Sequence, residues 1–410
     1  MRRFLARRRW LWLCIAALPL IGGVALVNRG PGGWSRPAIE PPTAPASHLM
    51  FAASAPTPLE RQAAPATAAA ETVGNARIAQ QAGEAADDSA EICGFGRVPK
   101  AELEKPVKEQ LLPPAWAVAA EAAQAQRANA ARSQLAARLA AGSDVDRVAS
   151  RMVMGDNEAA AIIAAQSPDA AAYRLGLAGC HYGERPDATT SCRGLDVQGW
   201  IQRDPTDARP WFLLASRALQ RRDFTAGKEA LEEAMRRPKM SAAEPLIAAA
   251  MKDAPSAVKD RTDLGLVSIE IMGRQAAMSD WAVVGALSRY CSVEGLKDAQ
   301  RQPLCQQLSR RMMDGADTLM EALVAQKIAD RAGVPADQQK YTAASLAAAQ
   351  NFFTDESSDA VLGLDCASLG RTGNFFVERA QRGELRIALD WLNRRNQGKA
   401  PASSASAVAR

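Results

Sequence analysis

Six of the seven cysteines in this 410-residue sequence lie beyond its N-terminal apolar run, and four of them form two similarly spaced pairs. An even number of cysteines in that part of the chain favours disulfides over free thiols if it is exported, as its N-terminal segment indicates below. Metal binding or thiol redox chemistry is the alternative, but the chain has no C-x-x-C motif and only His181 stands near a cysteine. The sequence therefore predicts structural disulfides, with no metal and no cofactor, among Cys93, Cys180, Cys192, Cys291, Cys305 and Cys366.

The pairing follows from where the cysteines stand relative to the predicted helices. Each of two polar turns has one cysteine at the end of the helix before it and another at the start of the helix after it. A disulfide could join the helices across each turn, and elimination pairs the two remaining cysteines, although six cysteines allow 15 arrangements. The predicted pairs are Cys180 with Cys192, Cys291 with Cys305, and Cys93 with Cys366.

The segment Cys366 to Gly373, CASLGRTG, resembles the phosphate-binding loop of cysteine phosphatases, in which a thiolate attacks phosphorus and an arginine holds the phosphate oxygens. That family has one more residue between the cysteine and the arginine than separates Cys366 from Arg371, and it has histidine where this chain has Asp365. An oxidising compartment would also tend to consume the thiolate. We therefore expect a glycine-rich turn beside a structural disulfide.

No other catalytic arrangement stands out in the sequence. The chain has two histidines, so a Ser/His/Asp triad would have to use His181, and no nucleophile motif lies near it. A periplasmic hydrolase on a helical scaffold, for example one acting on cell-wall material, is the alternative function, because its general acid could be a single glutamate that no motif marks. We expect a binding protein rather than an enzyme.

The N-terminal segment 1–29 has the features of a membrane anchor. Five arginines precede an 18-residue apolar run from Trp10 to Val27, which is near the lower limit for crossing a bilayer. The arginines should stay in the cytoplasm by the positive-inside rule, which would place the rest of the chain in the periplasm. A cleaved signal peptide is the alternative, although Gly23 and Ala25 offer a poor cleavage site.

The net charge of +5 belongs mainly to this first segment, which contains six arginines and no acidic residue. Without those six, the chain has 44 basic and 45 acidic residues. A broad phosphate-binding face is therefore not expected, and no nucleic acid is predicted as a partner.

Composition divides the remaining chain into three parts. Residues 30–88 are rich in proline, alanine, glycine and serine without a sustained apolar period, so they are expected to be a disordered linker. Residues 89–396 have helical patterns almost throughout and should form the exported domain. Residues 397–410 are expected to be a disordered tail.

The exported domain is predicted to be all-α, because alanine favours helices and aromatic residues make up only 5% of the chain. An alanine-rich helix should run from Pro114 to Ala141 and stop at Gly142, and two shorter ones should cover 158–165 and 168–180. Gly333 and Pro335 indicate a later stop and restart. Further helices are predicted at Ala242–Lys252, Asp263–Met272, Asp280–Tyr290, Pro303–Met313, Asp317–Arg331, Ala336–Gln350 and Phe375–Arg394.

The stretch 204–238 contains two amphipathic helical patterns separated by a short turn. Apolar or small residues recur on one face of each, and Asp223 could cap the second helix. The first stripe is Trp211, Leu214, Ala215 and Ala218, and the second is Phe224, Gly227, Leu231, Ala234 and Met235.

This unit resembles a tetratricopeptide repeat through Asp204, Pro205, Ala208, Trp211, Leu214, Ala215, Asp223, Phe224 and Ala234. It departs from that family at Ala218, where an aromatic residue is usual, and at Gly227, where alanine is usual. The resemblance implies antiparallel helix pairs stacked into an α-solenoid. It also implies a concave groove that binds a peptide or a partner helix, as in a scaffold for protein-protein interaction.

The groove should be lined by those residues of the first helix of this unit that do not belong to its packing stripe. Phe212 is the informative member of that side, because it would either pack against a preceding helix or anchor a ligand. The predicted binding residues are Arg209, Phe212, Ser216 and Gln220.

Overall fold

Helices account for most of the residues described by the computed structural model, which are 89–104, 114–180, 190–279, 281–355, 358, 363 and 365–397. The all-α prediction is confirmed for the bulk of this region. The predicted anchor 1–29, the predicted linker 30–88 and all but Gln397 of the predicted tail lie outside the described residues. Within the described residues, no helix is both long and apolar enough to span a membrane.

A small β-hairpin opens the described region, and the helix-only prediction did not include it. Strands β1 (Ser89–Ile92) and β2 (Gly96–Pro99) form a two-stranded sheet. Gly94 and Gly96 have φ values of +80° and +123°, a backbone conformation that glycine adopts most easily. The hairpin, followed by α1 (Lys100–Glu104), encloses a small apolar cluster of Ile92, Val98, Leu103 and Ala120.

Four helices follow, and hydrogen-bonding side chains set where three of them begin. Ser143 and Asp146 form a reciprocal capping box, while Asp156 and Asp169 each accept a hydrogen bond from a backbone N–H of the next helix. The predicted stop at Gly142 is confirmed. The helices are α2 (Ala115–Ala140), α3 (Asp144–Val153), α4 (Asn157–Gln166) and α5 (Ala170–Gly179).

The predicted repeat-like unit lies in the next group of helices. Asp223 accepts a hydrogen bond from the Ala226 N–H, as its predicted capping role requires. A Cβ added at Gly227 would stand 2.7 Å from the Leu219 side chain, so the small residue permits close packing of the two helices. The helices are α6 (Thr190–Arg193), α7 (Val197–Arg203), α8 (Arg209–Gln220) and α9 (Phe224–Arg236).

The remaining helices complete the domain. Short 3₁₀ turns lie at Gly295–Lys297, Ala336–Gln338 and Asn351–Phe353. The helices are α10 (Pro245–Met251), α11 (Ala254–Ala257), α12 (Arg261–Ala277), α13 (Trp281–Tyr290), α14 (Arg301–Gly315), α15 (Leu319–Arg331), α16 (Ala343–Gln350), α17 (Cys366–Arg382) and α18 (Glu384–Asn396).

Three predictions for the C-terminal region were wrong. The predicted helix Ala336–Gln350 is a 3₁₀ turn at Ala336–Gln338 followed by α16, which begins only at Ala343, where Thr342 caps it.

The segment CASLGRTG forms the first turns of α17 rather than a turn outside a helix, and Asp365 caps it by accepting a hydrogen bond from the Ser368 N–H at 2.8 Å. The predicted single helix Phe375–Arg394 is divided at Gly383, whose φ of +80° interrupts the helical conformation.

The glycines of α17 let it approach α12 closely. A Cβ added at Gly265 on α12 would stand 2.0 Å from the Leu369 carbonyl oxygen, and one added at Gly373 would stand 2.8 Å from the Gly265 nitrogen. These glycines are therefore required for helix packing and not for a phosphate-binding loop.

The structure confirms the three predicted disulfides. The Cα atoms are 5.5 Å apart in Cys180–Cys192, 5.8 Å in Cys291–Cys305 and 4.7 Å in Cys93–Cys366. These distances lie in the normal range for a disulfide. The first two bridges close local turns, whereas the third joins the N-terminal hairpin to the start of α17 across 273 positions.

Candidate functional site

Helix α8 carries the four predicted groove residues, but two of them are buried. Phe212 is 4% exposed and Ser216 is 1% exposed, because other helices, including α13, pack against α8. Gln220 is exposed and donates a hydrogen bond to the Ser216 Oγ at 3.1 Å. Of the two interpretations of Phe212, the structure supports packing, which corrects the expectation that this side of α8 is an open face.

The predicted packing stripes are partly as expected. Ala215, Ala218 and Leu231 are buried, whereas Phe224 is 49% exposed and lies on the surface. The Arg301 guanidinium carbon stands 5.1 Å from the Phe224 ring centroid, so a cation covers part of this ring instead of the neighbouring helix.

Arg209, the fourth predicted groove residue, belongs to a buried ionic cluster. Its Nη1 donates to the Glu321 Oε1 at 2.6 Å and its Nη2 donates to the Glu321 Oε2 at 3.2 Å, so a fork of two parallel bonds joins the start of α8 to α15. The same Nη2 lies 3.8 Å from the Asp317 Oδ1. Glu321 is 6% exposed, and therefore the charge of Arg209 compensates a carboxylate removed from water.

Arg379 forms the second half of the cluster. Its Nε donates to the Glu244 Oε2 at 2.6 Å, and its guanidinium also forms an ion pair with Glu384. The Glu384 Oε1 accepts a hydrogen bond from the Leu319 N–H at 3.0 Å, at the start of α15. This arginine therefore connects α17, α18 and the residues before α10.

Asp317 lies between the two halves. Its Oδ2 accepts a hydrogen bond from the Ala243 N–H at 2.9 Å, and its backbone carbonyl accepts one from the Leu385 N–H at 3.0 Å. A Cβ added at Gly383 would stand 3.1 Å from the Asp317 carbonyl oxygen. The break between α17 and α18 thus brings α18 against Asp317.

The cluster contains four carboxyl groups and two guanidinium groups. Burial and the charges of these neighbours shift the pKa values of three of the carboxyl groups. Burial raises the pKa of Asp317 to about 7, and the neighbouring Glu321 carboxylate adds to the rise against the opposing effect of Arg209. Burial also raises the pKa of Glu384, although Arg379 opposes it. Burial alone would also raise the pKa of Glu321. The Arg209 guanidinium outweighs that effect, so the pKa of Glu321 is lowered.

Asp317 also lines an open cleft of about 430 Å³ between α18 and the residues before α15 and α16. A volume of this size is within the range of small-molecule sites. The apolar lining residues are Ala316, Leu385 and Leu389, and the polar ones are Asp317, Tyr341, Arg382, Arg386, Asp390 and Asn393.

The two arginines of the cleft differ in their partners. Arg382 forms ion pairs with Glu378 and Asp390. Arg386 is exposed and has no ion pair or hydrogen-bond partner among the described residues. The cleft therefore presents one exposed arginine, Arg386, that forms no ion pair among the described residues.

The sequence analysis did not identify Asp317 or Arg386 as functional candidates. Asp317 was assigned only as the start of a helix, and the last helix was read only for its apolar stripe. Comparison with protein-family models, with curated proteins and with solved structures finds no match. Among the described residues, no group of three or more histidine, cysteine, aspartate or glutamate side chains is placed to hold a metal ion. The cleft is therefore interpreted from its own chemistry.

Proposed function

We propose that this protein is a scaffold for protein-protein interaction, anchored in the inner membrane and exposing a helical domain to the periplasm. The observation that carries the proposal is the pairing of all six cysteines of the helical domain in disulfides. Disulfides form and persist in oxidising compartments such as the periplasm. Export agrees with the five arginines and the apolar run at the N-terminus.

The scaffold role is supported by the arrangement of consecutive helices. Helix α8 packs on α9 and α14 packs on α15, and successive helix pairs of this kind are typical of repeat proteins that bind peptides. The residues that resemble a tetratricopeptide repeat lie in the α8–α9 pair, where Gly227 allows close contact. We infer that the domain is a short tetratricopeptide-like solenoid and that its partner is a protein or peptide.

Site-specific photocrosslinking in intact cells tests this proposal. A photoreactive amino acid would replace exposed apolar residues one at a time, at Val118, Ile162 and Val293, and then Asn393 in the cleft. A scaffold should give a discrete adduct from one of these positions, and the buried Leu246 is a control that should give none. The proposal fails if every exposed position leaves the protein uncrosslinked.

A hydrolase acting on cell-wall material is the second candidate, and Asp317 is the observation that favours it. This carboxyl group lines the cleft and its pKa is raised to about 7, a combination that suits a general acid near neutral pH. The hydrolase interpretation requires that purified protein release soluble fragments from isolated cell-wall material. It also requires that Asp317→Asn abolish the release, whereas Asp390→Asn in the same cleft should leave most of it. Absence of release by the wild-type protein would exclude this candidate.

A further inference from the structure

Two leucines and one exposed arginine of α18 line the cleft; Leu389 is half-buried and Leu385 is 3% exposed. Leu385 and Leu389 are one helical turn apart on α18, so their side chains lie on the same side of that helix. Arg386 stands between them in sequence and has no partner among the described residues. Asn393, one turn beyond Leu389, adds an amide that can both donate and accept hydrogen bonds.

The opposite wall of the cleft contains Asp317, whose side chain is 26% exposed. Burial raises the pKa of this carboxyl group, and Glu321, Glu244 and Arg209 act on it from the protein side. A raised pKa lowers the negative charge that an anion in the cleft would meet at Asp317.

Arg382, Glu378 and Asp390 form one ion-paired group at the cleft. These three side chains together contribute a charge of about −1 near the end of α17. The Lys340 ammonium stands 5.5 Å from the centroid of the Tyr341 ring and covers part of that ring. The cleft therefore combines the exposed Arg386 guanidinium, the Asn393 amide and two leucines.

We propose that this cleft binds the carboxyl-terminal end of a peptide or protein chain, with Arg386 pairing the terminal carboxylate and Leu385 and Leu389 contacting the last side chain. A carboxylate held by a guanidinium forms strong charge-assisted bonds, and Asn393 can pair with the peptide backbone. The proposal rests on the scaffold function and names the chemistry of the partner.

The shape and charge of the cleft favour a peptide end over an acidic sugar. Sugar binding commonly uses the open face of an aromatic ring, but Lys340 already covers part of the Tyr341 ring. The two leucines suit an apolar side chain better than a sugar, because the hydroxyl groups of a sugar would lose hydrogen bonds to water against them. A free acidic sugar is therefore an alternative occupant that the experiment must exclude.

Calorimetry with matched probes on the purified full-length protein in its oxidised form tests the proposal. The probes are an acetylated tripeptide ending in leucine, as the free acid and as the amide, and glucuronate as the acidic sugar. We expect the acid to bind at least tenfold more tightly than the amide, because only the acid has the carboxylate. Equal affinity of acid and amide overturns the proposal, and so does glucuronate binding as tightly as the tripeptide acid.

Three variants of α18 locate the site. Arg386→Gln should weaken binding of the acid about tenfold and leave the amide unchanged, and Arg386→Lys should restore part of the affinity. Arg394→Gln is the matched control, since Arg394 is an exposed arginine on the same helix outside the cleft lining. Far-UV circular dichroism establishes that each variant is folded. If Arg394→Gln loses binding of the acid, or if Arg386→Gln keeps it, the carboxylate binds elsewhere and the assignment is overturned.

Failure of this proposal can be separated from failure of the scaffold function. If the tripeptide acid does not bind but crosslinking captures a discrete partner in cells, the scaffold proposal stands and the carboxyl-end assignment is wrong. If no position gives an adduct while the acid still binds through Arg386, the cleft assignment stands and the scaffold function is wrong.

Discussion

Two phenylalanines of the repeat-like unit have opposite environments, which gives a matched test of the packing described for α8. Phe212 is 4% exposed and Phe224 is 49% exposed. We expect Phe212→Ala to lower the free energy of unfolding by about 3–5 kcal/mol, because it leaves a cavity in the core. Phe224→Ala should cost about 1 kcal/mol or less, mainly the contact with Arg301. Urea denaturation measures both, and similar losses would contradict the assigned environments.

Asp317 should make the stability of the protein depend on pH near neutrality. Its pKa is about 7 in the folded protein and about 3.9 in an unfolded chain, so the folded state binds this proton more tightly. The stabilisation is fully present below pH ~4 and is lost as the pH rises through ~7. We expect the wild-type unfolding free energy to fall between pH 5 and pH 8 by more than ~1 kcal/mol relative to Asp317→Asn.

The Asn variant keeps an acceptor for the Ala243 N–H, so its own fold should be preserved. Glu384, whose pKa is also raised, is present in both proteins and cancels in the comparison. The measurement is urea denaturation at both pH values. Parallel profiles for the two proteins would show that Asp317 is already ionised at pH 5.

At the scale of elements, the packing of α12 on α17 depends on a glycine that no alanine can replace without movement. A Cβ at Gly265 would collide with the Leu369 backbone carbonyl, whereas a Cβ at Gly273, on the same helix, meets nothing within 4 Å. Gly265→Ala should destabilise the fold by about 1–3 kcal/mol, because the helices must separate. Gly273→Ala should instead stabilise it by about 0.5–1 kcal/mol through helix propensity. Thermal unfolding distinguishes them, and equal shifts would contradict the close approach.

The helix ends that could be predicted from the sequence are those marked by a capping residue or by a glycine. Gly142 and Gly333 end helices, Asp223 caps one, and the cysteine positions implied the disulfide pairs. The hairpin 89–99 was missed because strands of four residues are too short to establish an alternating pattern.

The prediction for the start of α17 was wrong because contacts between helices that are distant in sequence decide its structure. The glycines of CASLGRTG suggest a turn when read alone, yet they fit inside a helix because α12 lies against them. Gly383 follows Arg382 and is itself a local stop signal, but the apolar stripe that begins again at Leu385 led to the prediction of one continuous helix. The ionic cluster was equally hidden, since Arg209 and Glu321 are 112 positions apart.

At the scale of the whole molecule, one hydrophobic core runs from Ala131 to Trp391, and the Cys93–Cys366 bridge ties the N-terminal hairpin to it. A bridge across 273 positions restricts the unfolded chain strongly, by about 4–5 kcal/mol or more in the chain-entropy model. The helical domain should therefore be sensitive to reduction. This architecture suits a domain that works where thiols are oxidised.

The orientation of the chain in the membrane is the prediction that tests the proposed location. The arginines before Trp10 should remain in the cytoplasm, so a reporter that is active only outside the cytoplasm should work when it is fused after Arg394. If the apolar run stays uncleaved it would hold the chain in the bilayer, so the protein should stay in the membrane fraction after a carbonate wash. Replacing the five arginines with glutamine is the control and should reduce reporter activity. Full release of active reporter by the wash would instead indicate cleavage near Ala25, and an inactive reporter on the unchanged chain would contradict export altogether.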